Sequence, residues 1–182
     1  MVDENMEPVR NGCCFCDGRA AKIVDRWVED GTCDKLFEIT GTRIFTGNQN
    51  GIVKWMEEHE PENLDKSRWL LHLKDYLFYR FTGKVTTDAT DQSLIFLDQN
   101  KRDYLDETFK ICGIEKYKDK YPPVLSAKEN AFPVQKELAK ELGLGENVIV
   151  TSGPMDVSAC ALGSGVVEKW SLLFNYRHSG TS

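Results

Sequence analysis

The sequence predicts a mixed α/β fold on three observations. Short apolar runs alternate with amphipathic helical stretches, Gly or Pro closes most of those stretches, and no repeat or low-complexity tract breaks the alternation. At 182 residues and 41% hydrophobic content, the chain is long enough to fill one ordinary core.

Taken in order, residues 11–16 read as a buried strand in which Cys13, Cys14 and Cys16 act as small hydrophobes. Over residues 20–30, Ile23, Val24, Trp27 and Val28 share one apolar helix face that Gly31 ends. Residues 52–60 form a second helix, with Val53, Trp55 and Met56 apolar, stopped by Pro61. Residues 69–73 read as a strand or as the opening of the next helix, which runs over 74–81 and ends at Thr82-Gly83. Residues 103–112 and 134–142 are two further amphipathic helices, each followed by Gly, and the stretch 118–133 between them, with three prolines, reads as a loop.

The carboxy-terminal stretch carries the most chemistry. Val148, Ile149 and Val150 read as a buried strand, Gly153-Pro154 forces a turn, and Asp156 stands where the next helix begins, its charge favoured by the helix dipole. Ser158, Ala159, Cys160, Ala161 and Gly163 keep that helix thin, so another backbone or a substrate can approach it. Two readings of Asp156 follow from the residues alone: a carboxylate held at a cleft, or an N-cap on an α/β crossover.

Bulk properties exclude several function classes. A net charge of −6 with no basic run argues against nucleic acid as a partner. No apolar run has the length of a membrane span, and the opening residues lack the basic and apolar regions of a signal peptide, so the cytoplasm is the expected location. Cys13-Cys14-Phe15-Cys16 suggests a metal, but Cys33, Cys112, Cys160, His59, His72 and His178 are lone residues at no ligand spacing, and no metal site is expected. A Walker-type phosphate loop is excluded by spacing, because Phe78 rather than Gly precedes Gly83-Lys84 by five positions and Val85 follows.

Several stretches, taken together and in order, resemble the FGGY family of carbohydrate kinases: Cys16-Asp17-Gly18-Arg19-Ala20, the run from Gly51 to Pro61, the run from Leu73 to Gly83, Thr87-Asp88, Tyr121-Pro122-Pro123, and the strand, turn and Asp at 146–165. The resemblance runs from about residue 2 to residue 169. It implies the ribonuclease-H-like, actin-like ATPase fold of sugar kinases, with residues 1–168 as the carboxy-terminal portion of the first domain and 169–182 as the start of the second. The family's opening Asp-x-Gly-Thr phosphate loop has no counterpart here. The chain is therefore expected to be a piece of an enzyme, lacking the first core strands and inactive alone.

By that resemblance Asp156 is the catalytic base on the last core strand of the first domain, facing the interdomain cleft. It would take the proton from the attacking hydroxyl while the enzyme positions the phosphoryl group. Asp17 and Arg19 match a sugar-contact motif, where an acceptor and a fork-shaped donor suit several hydroxyls; tying a strand end to the next helix is the alternative. Asp88, after Thr87, matches a motif near the substrate pocket, or else marks a turn before a strand. Lys74, Asp75 and Tyr76 read as scaffold. The resemblance implies a small sugar or polyol substrate, ATP and Mg2+ as cofactors in the full-length enzyme, and a homodimer as the assembly open to the parent. A non-catalytic sugar-binding or partner module on the same fold is the competing function. Val157 after Asp156, where xylulose and glycerol kinases carry Asn or Gln, points towards the L-xylulose and erythritol kinase branch.

Trp170 stands where the family has Gly, and Gly180-Thr181-Ser182 falls about three residues later than the family's Gly-Thr-Ser or Gly-Thr-Ala. Residues 170–182 are accordingly expected to be translated out of frame.

Overall fold

Helices dominate the computed structural model, which describes residues 1–145 and 147–166. The expected second-domain segment 169–182 and the out-of-frame tail 170–182 lie outside the described residues. The chain divides into two compact units, Met1–Ser152 and Gly153–Ser182. No described helix is long and apolar enough to cross a membrane.

In the first unit, α1 (Ala21–Glu29) buries Ile23, Val24 and Trp27, three of the four residues whose spacing predicts it, while Val28 is 63% exposed. Gly31, at φ +79°, then reverses the chain straight into α2 (Thr32–Thr40), a conformation that a Cβ would strain. α3 (Gln49–His59) buries Ile52, Val53 and Met56, and α4 (Pro61–Lys66) follows at once. Pro61 is the first residue of α4: it closes one helix and opens another, because its missing N–H costs nothing in a first turn. The remaining elements of this unit are α5 (Leu73–Thr82), β1 (Thr87–Asp88), α6 (Ala89–Gln92), α7 (Asp106–Ile111), a 3-10 helix (Glu115–Lys120), β2 (Val124–Leu125), β3 (Ala131–Pro133), α8 (Lys136–Glu141) and β4 (Ile149–Thr151).

The core lies where α1, α2 and α3 meet the segments after α6. Phe96 and Phe109, both fully buried, stack with ring centroids 4.2 Å apart, and Tyr121 meets them edge-on at 5.0 and 5.3 Å. Burying such rings contributes about 2 kcal/mol or more each, which makes this cluster the main apolar anchor. The strands are short. β1 pairs with β2 in parallel, and β3 pairs with β4 antiparallel in the register Phe132 to Val150. Buried Asn130 connects the two pairs: its side chain accepts from Thr86 Oγ1 at 2.6 Å and donates to the Thr87 carbonyl at 3.1 Å, while its own carbonyl accepts from Ser152 N.

Several expectations need correction. Residues 11–16 are no buried strand. They form an irregular turn closed by Asp17 N donating to the Cys14 carbonyl, with Phe15 68% exposed, because no partner strand lies beside them among the described residues. The stretch 118–133 is more than a loop, since it holds β2 and β3, whose pairing depends on partners distant in sequence. α7 and α8 are shorter than their apolar patterns, starting at Asp106 and Lys136. β4 exists as expected, but Ile149 is 55% exposed, so it is not a buried strand. Residues 69–73 divide between both readings: Trp69 bridges to Val2, and Leu73 begins α5.

The second unit contains α9 (Asp156–Gly163), none of whose residues is buried. Asp156 is the first residue of the helix, and Met155 occupies the N-cap position.

Candidate functional site

Lys74, in the first turn of α5, reaches across the first unit. Its Nζ lies 2.6 Å from Asp88 Oδ2, 2.9 Å from Asp75 Oδ1, 3.1 Å from Asp91 Oδ2 and 3.0 Å from Ser152 Oγ. The backbone delivers these groups: Asp88 ends β1 and caps α6 by accepting from Thr90 N at 2.8 Å, Asp91 sits in the first turn of α6, and Ser152 follows β4. Asp75, Asp88 and Asp91 are all buried, and their ligand oxygens lie within 4.8 Å of one another.

Burial opposes charge on Lys74, but the carboxylates of Asp75, Asp88 and Asp91 overcome it and raise the ammonium above its usual pKa. Burial would raise Asp88 as well, yet the Lys74 and Thr90 hydrogen bonds hold it below the usual carboxylate range. Asp75 is different: only 1% of its side chain is exposed, and burial keeps its pKa raised despite Lys74. Three clustered carboxylates have the donor chemistry of a divalent-cation site. Here the Lys74 ammonium occupies their centre, so a cation would have to displace it, and the group does not fit Mg2+ as it stands.

Asp17 and Arg19 form a second polar group. Arg19 Nε donates to Asp17 Oδ1 at 2.9 Å, its Nη2 lies 2.9 Å from Oδ2, and its backbone N also donates to Oδ1 at 3.0 Å. The Arg19 bonds hold the Asp17 carboxyl below its usual range. The guanidinium lies 4.8 Å above the Trp55 ring and 3.7 Å from Glu60, which also pairs with Arg10 at 2.9 Å. The pair therefore braces its turn against Trp55 of α3 and against Glu60, rather than tying a strand end to the next helix, α1.

An open cavity of about 610 Å³ lies within the first unit, lined among others by Arg10, Cys13, Phe45, His72, Tyr76 and Asp91. Arg10 links its wall to Glu60, the neighbour of Arg19, and Asp91 links it to Lys74 and hence to Asp88. Asp17, Arg19 and Asp88 are not among the residues that line the cavity. Asp156 opens α9 in the second unit, where its Oδ1 accepts from Val157 N at 2.7 Å.

The sequence reads Lys74 as scaffold and gives Asp91 no role of its own. Two local signals do exist: a charged Lys-Asp pair opening an apolar helix, and Asp88-x-x-Asp91, a pattern with the spacing of a capping box.

Comparison with known proteins gives the family and the fold. The model of the FGGY family of carbohydrate kinases, N-terminal domain, matches residues 1–163. The chain is 31% identical to the erythritol kinase of Brucella abortus, over 91% of this chain and 32% of that protein. It is 30% identical to a probable L-xylulose kinase of Pasteurella multocida, over 94% of this chain and 36% of that protein. Ligand-bound xylulose kinase from Lactobacillus acidophilus superposes with a TM-score of 0.83 at 21% identity, covering 90% of this chain and 33% of the other. Gluconate kinase from the same organism gives 0.78 at 22%, covering 85% and 31%. These likenesses bear out the expected sugar-kinase fold, of the actin-like ATPase and ribonuclease-H-like class. The chain spans about a third of the length of the relatives it matches. With its family model covering nearly the whole described chain, this protein belongs to the FGGY family of carbohydrate kinases.

Proposed function

We propose that this chain supplies part of the sugar-binding half of an ATP-dependent kinase that phosphorylates a hydroxyl of a small sugar or polyol, with an L-xylulose-like substrate. Asp156 carries the reading: an exposed carboxylate on the first residue of a helix, separated from β4 by four residues, it is the group assigned to accept the proton of the attacking hydroxyl. Asp17 and Arg19 orient sugar hydroxyls, and Asp88 shapes the pocket through Lys74. The cavity in the first unit, large enough for a five-carbon polyol and lined by both polar and aromatic side chains, supports the small-polyol part of this reading. Val157 beside Asp156, and the erythritol and L-xylulose kinases among the similar proteins, favour that substrate branch.

ATP with Mg2+ supplies the phosphoryl group in such a kinase. The sequence has no Gly-x4-Gly-Lys run and Lys74 fills the acidic cluster, so both are assigned to parts of a kinase beyond this chain. The same reading places the protein in the cytoplasm and allows a homodimer.

The test is Asp156→Asn in a polypeptide that joins these residues to the remainder of an FGGY kinase. Sugar-dependent ATP turnover should vanish while sugar affinity stays within about tenfold, because a base acts on the transition state more than on the ground state. Near-normal turnover removes Asp156 from the role.

A further inference from the structure

We propose that Cys14 and Cys16 form a redox-responsive dithiol, which a peroxide-class oxidant closes into a disulfide on the turn leading into Asp17. The two sulfurs already lie 3.4 Å apart, and both residues are exposed. A disulfide needs about 2.05 Å between sulfurs and a Cα separation of about 4.4–6.8 Å, which residues two apart in a tight turn satisfy. The turn is set by the backbone, with Asp17 N donating to the Cys14 carbonyl at 3.0 Å. It is also seated from below: the Phe15 carbonyl oxygen lies 1.7 Å from where a Cβ on Gly47 would stand, so only glycine there lets the two segments approach. Rotation of two exposed side chains, with the backbone in place, closes the remaining gap.

The third cysteine of the run is set apart. Cys13 is half-buried, and its sulfur accepts from Arg10 Nη1 at 3.0 Å. The two reactive partners also differ from each other. The backbone N–H of Cys16, and then its thiol, hydrogen-bond Cys14 and lower its pKa, while the same contact raises Cys16. Cys14 is thus the attacking thiolate and Cys16 the resolving thiol.

The chemistry balances with hydrogen peroxide. The Cys14 thiolate attacks one peroxide oxygen, the O–O bond breaks, and hydroxide leaves, taking up the thiol's proton to become water. Cys14 is then a sulfenic acid, oxidised by two electrons. Cys16 gives up its proton and attacks the Cys14 sulfur, the S–O bond breaks, and hydroxide departs with that proton as a second water. Two thiols and one peroxide become one disulfide and two waters. None of this depends on the kinase reading, since every group lies in residues 10–17 and at Gly47.

The experiment uses the reduced 182-residue chain, treated with about one equivalent of hydrogen peroxide, digested with trypsin and analysed by tandem mass spectrometry. Peptide 11–19 should lose two hydrogens, regain them with dithiothreitol, and show the link between Cys14 and Cys16. Cys13→Ser should behave the same. Cys16→Ser should instead accumulate a dimedone-trappable sulfenic acid at Cys14, and Cys14→Ser should leave peptide 11–19 reduced. The proposal is overturned by over-oxidation of Cys14 in the unsubstituted chain without a crosslink. A crosslink to Cys13, Cys33, Cys112 or Cys160 in place of the Cys14–Cys16 pair overturns it equally.

Discussion

Lys74 Nζ stands 2.6 Å from Asp88 Oδ2, joining the first turn of α5 to the end of β1. The same ammonium also holds Asp91 and Ser152, so one side chain pins α5, α6 and the end of β4 together. Exposed pairs such as Arg26 with Glu58 lack this consequence, because water screens them and either partner can be solvated alone.

Replacing Lys74 by Met should therefore destabilise the chain by about 3 kcal/mol at neutral pH, since buried carboxylates are left without their counter-ion. The deficit should shrink as the pH falls. Without the ammonium, the folded-state pKa of Asp88 rises above its unfolded value, so the folded variant takes up protons first and gains stability on acidification. Urea unfolding of both proteins at pH 7 and pH 5 reads this directly; a deficit that is equal at both values contradicts it.

The unsubstituted chain should show the opposite slope through Asp88 and Asp17. Both carboxyls are held below their usual range in the fold. The stability they contribute is fully present above the unfolded carboxylate pKa of about 4, and is lost as pH falls through their lowered folded values. Asp75, raised by burial, works against them. Asp88→Asn should accordingly flatten the stability curve below about pH 4, measured as urea midpoints from pH 2 to pH 7.

Gly47→Ala should cost about 2–3 kcal/mol, because the new Cβ would lie 1.7 Å from the Phe15 carbonyl oxygen, a backbone atom that cannot swing aside. Gly12→Ala, in the same region with nothing within 4 Å, should stay within about 0.5 kcal/mol. Thermal unfolding of the two variants separates the steric effect from any general intolerance of alanine.

Arg19→Ala should cost about 1 kcal/mol or less in stability, the loss of a part-exposed pair and of the contact over Trp55. In a polypeptide that completes the kinase, it should raise KM for sugar with a smaller change for ATP. An unchanged sugar KM leaves Arg19 with its tie to α3 alone.

Local pattern was enough for what depends on near neighbours. Ile23, Val24 and Trp27 marked α1 and its buried face, and the order of short motifs marked the family. Asp156 could be placed at a helix start because a strand, a Gly-Pro step and a run of small residues all lie within a few positions of it. By contrast, residues 11–16 and Ile149 misled. A short apolar run carries no information about whether a partner covers it: no strand pairs with residues 11–16 among the described residues, and Ile149, although paired with Pro133, stays 55% exposed.

What the sequence by itself determined about this protein is its family, its α/β class and the order of its charged and polar residues along the chain. Which of those residues meet was decided only by tertiary structure. Lys74 and Asp88 are fourteen positions apart, and Lys74 and Ser152 seventy-eight. β1 pairs with β2 through Thr87 and Val124, and Asn130 reaches back to Thr86 and Thr87. Periodicity reports a residue's face on its own element. Contacts between elements follow from how several apolar faces pack at once, and burial then forces each charge carried inside to find an opposite one.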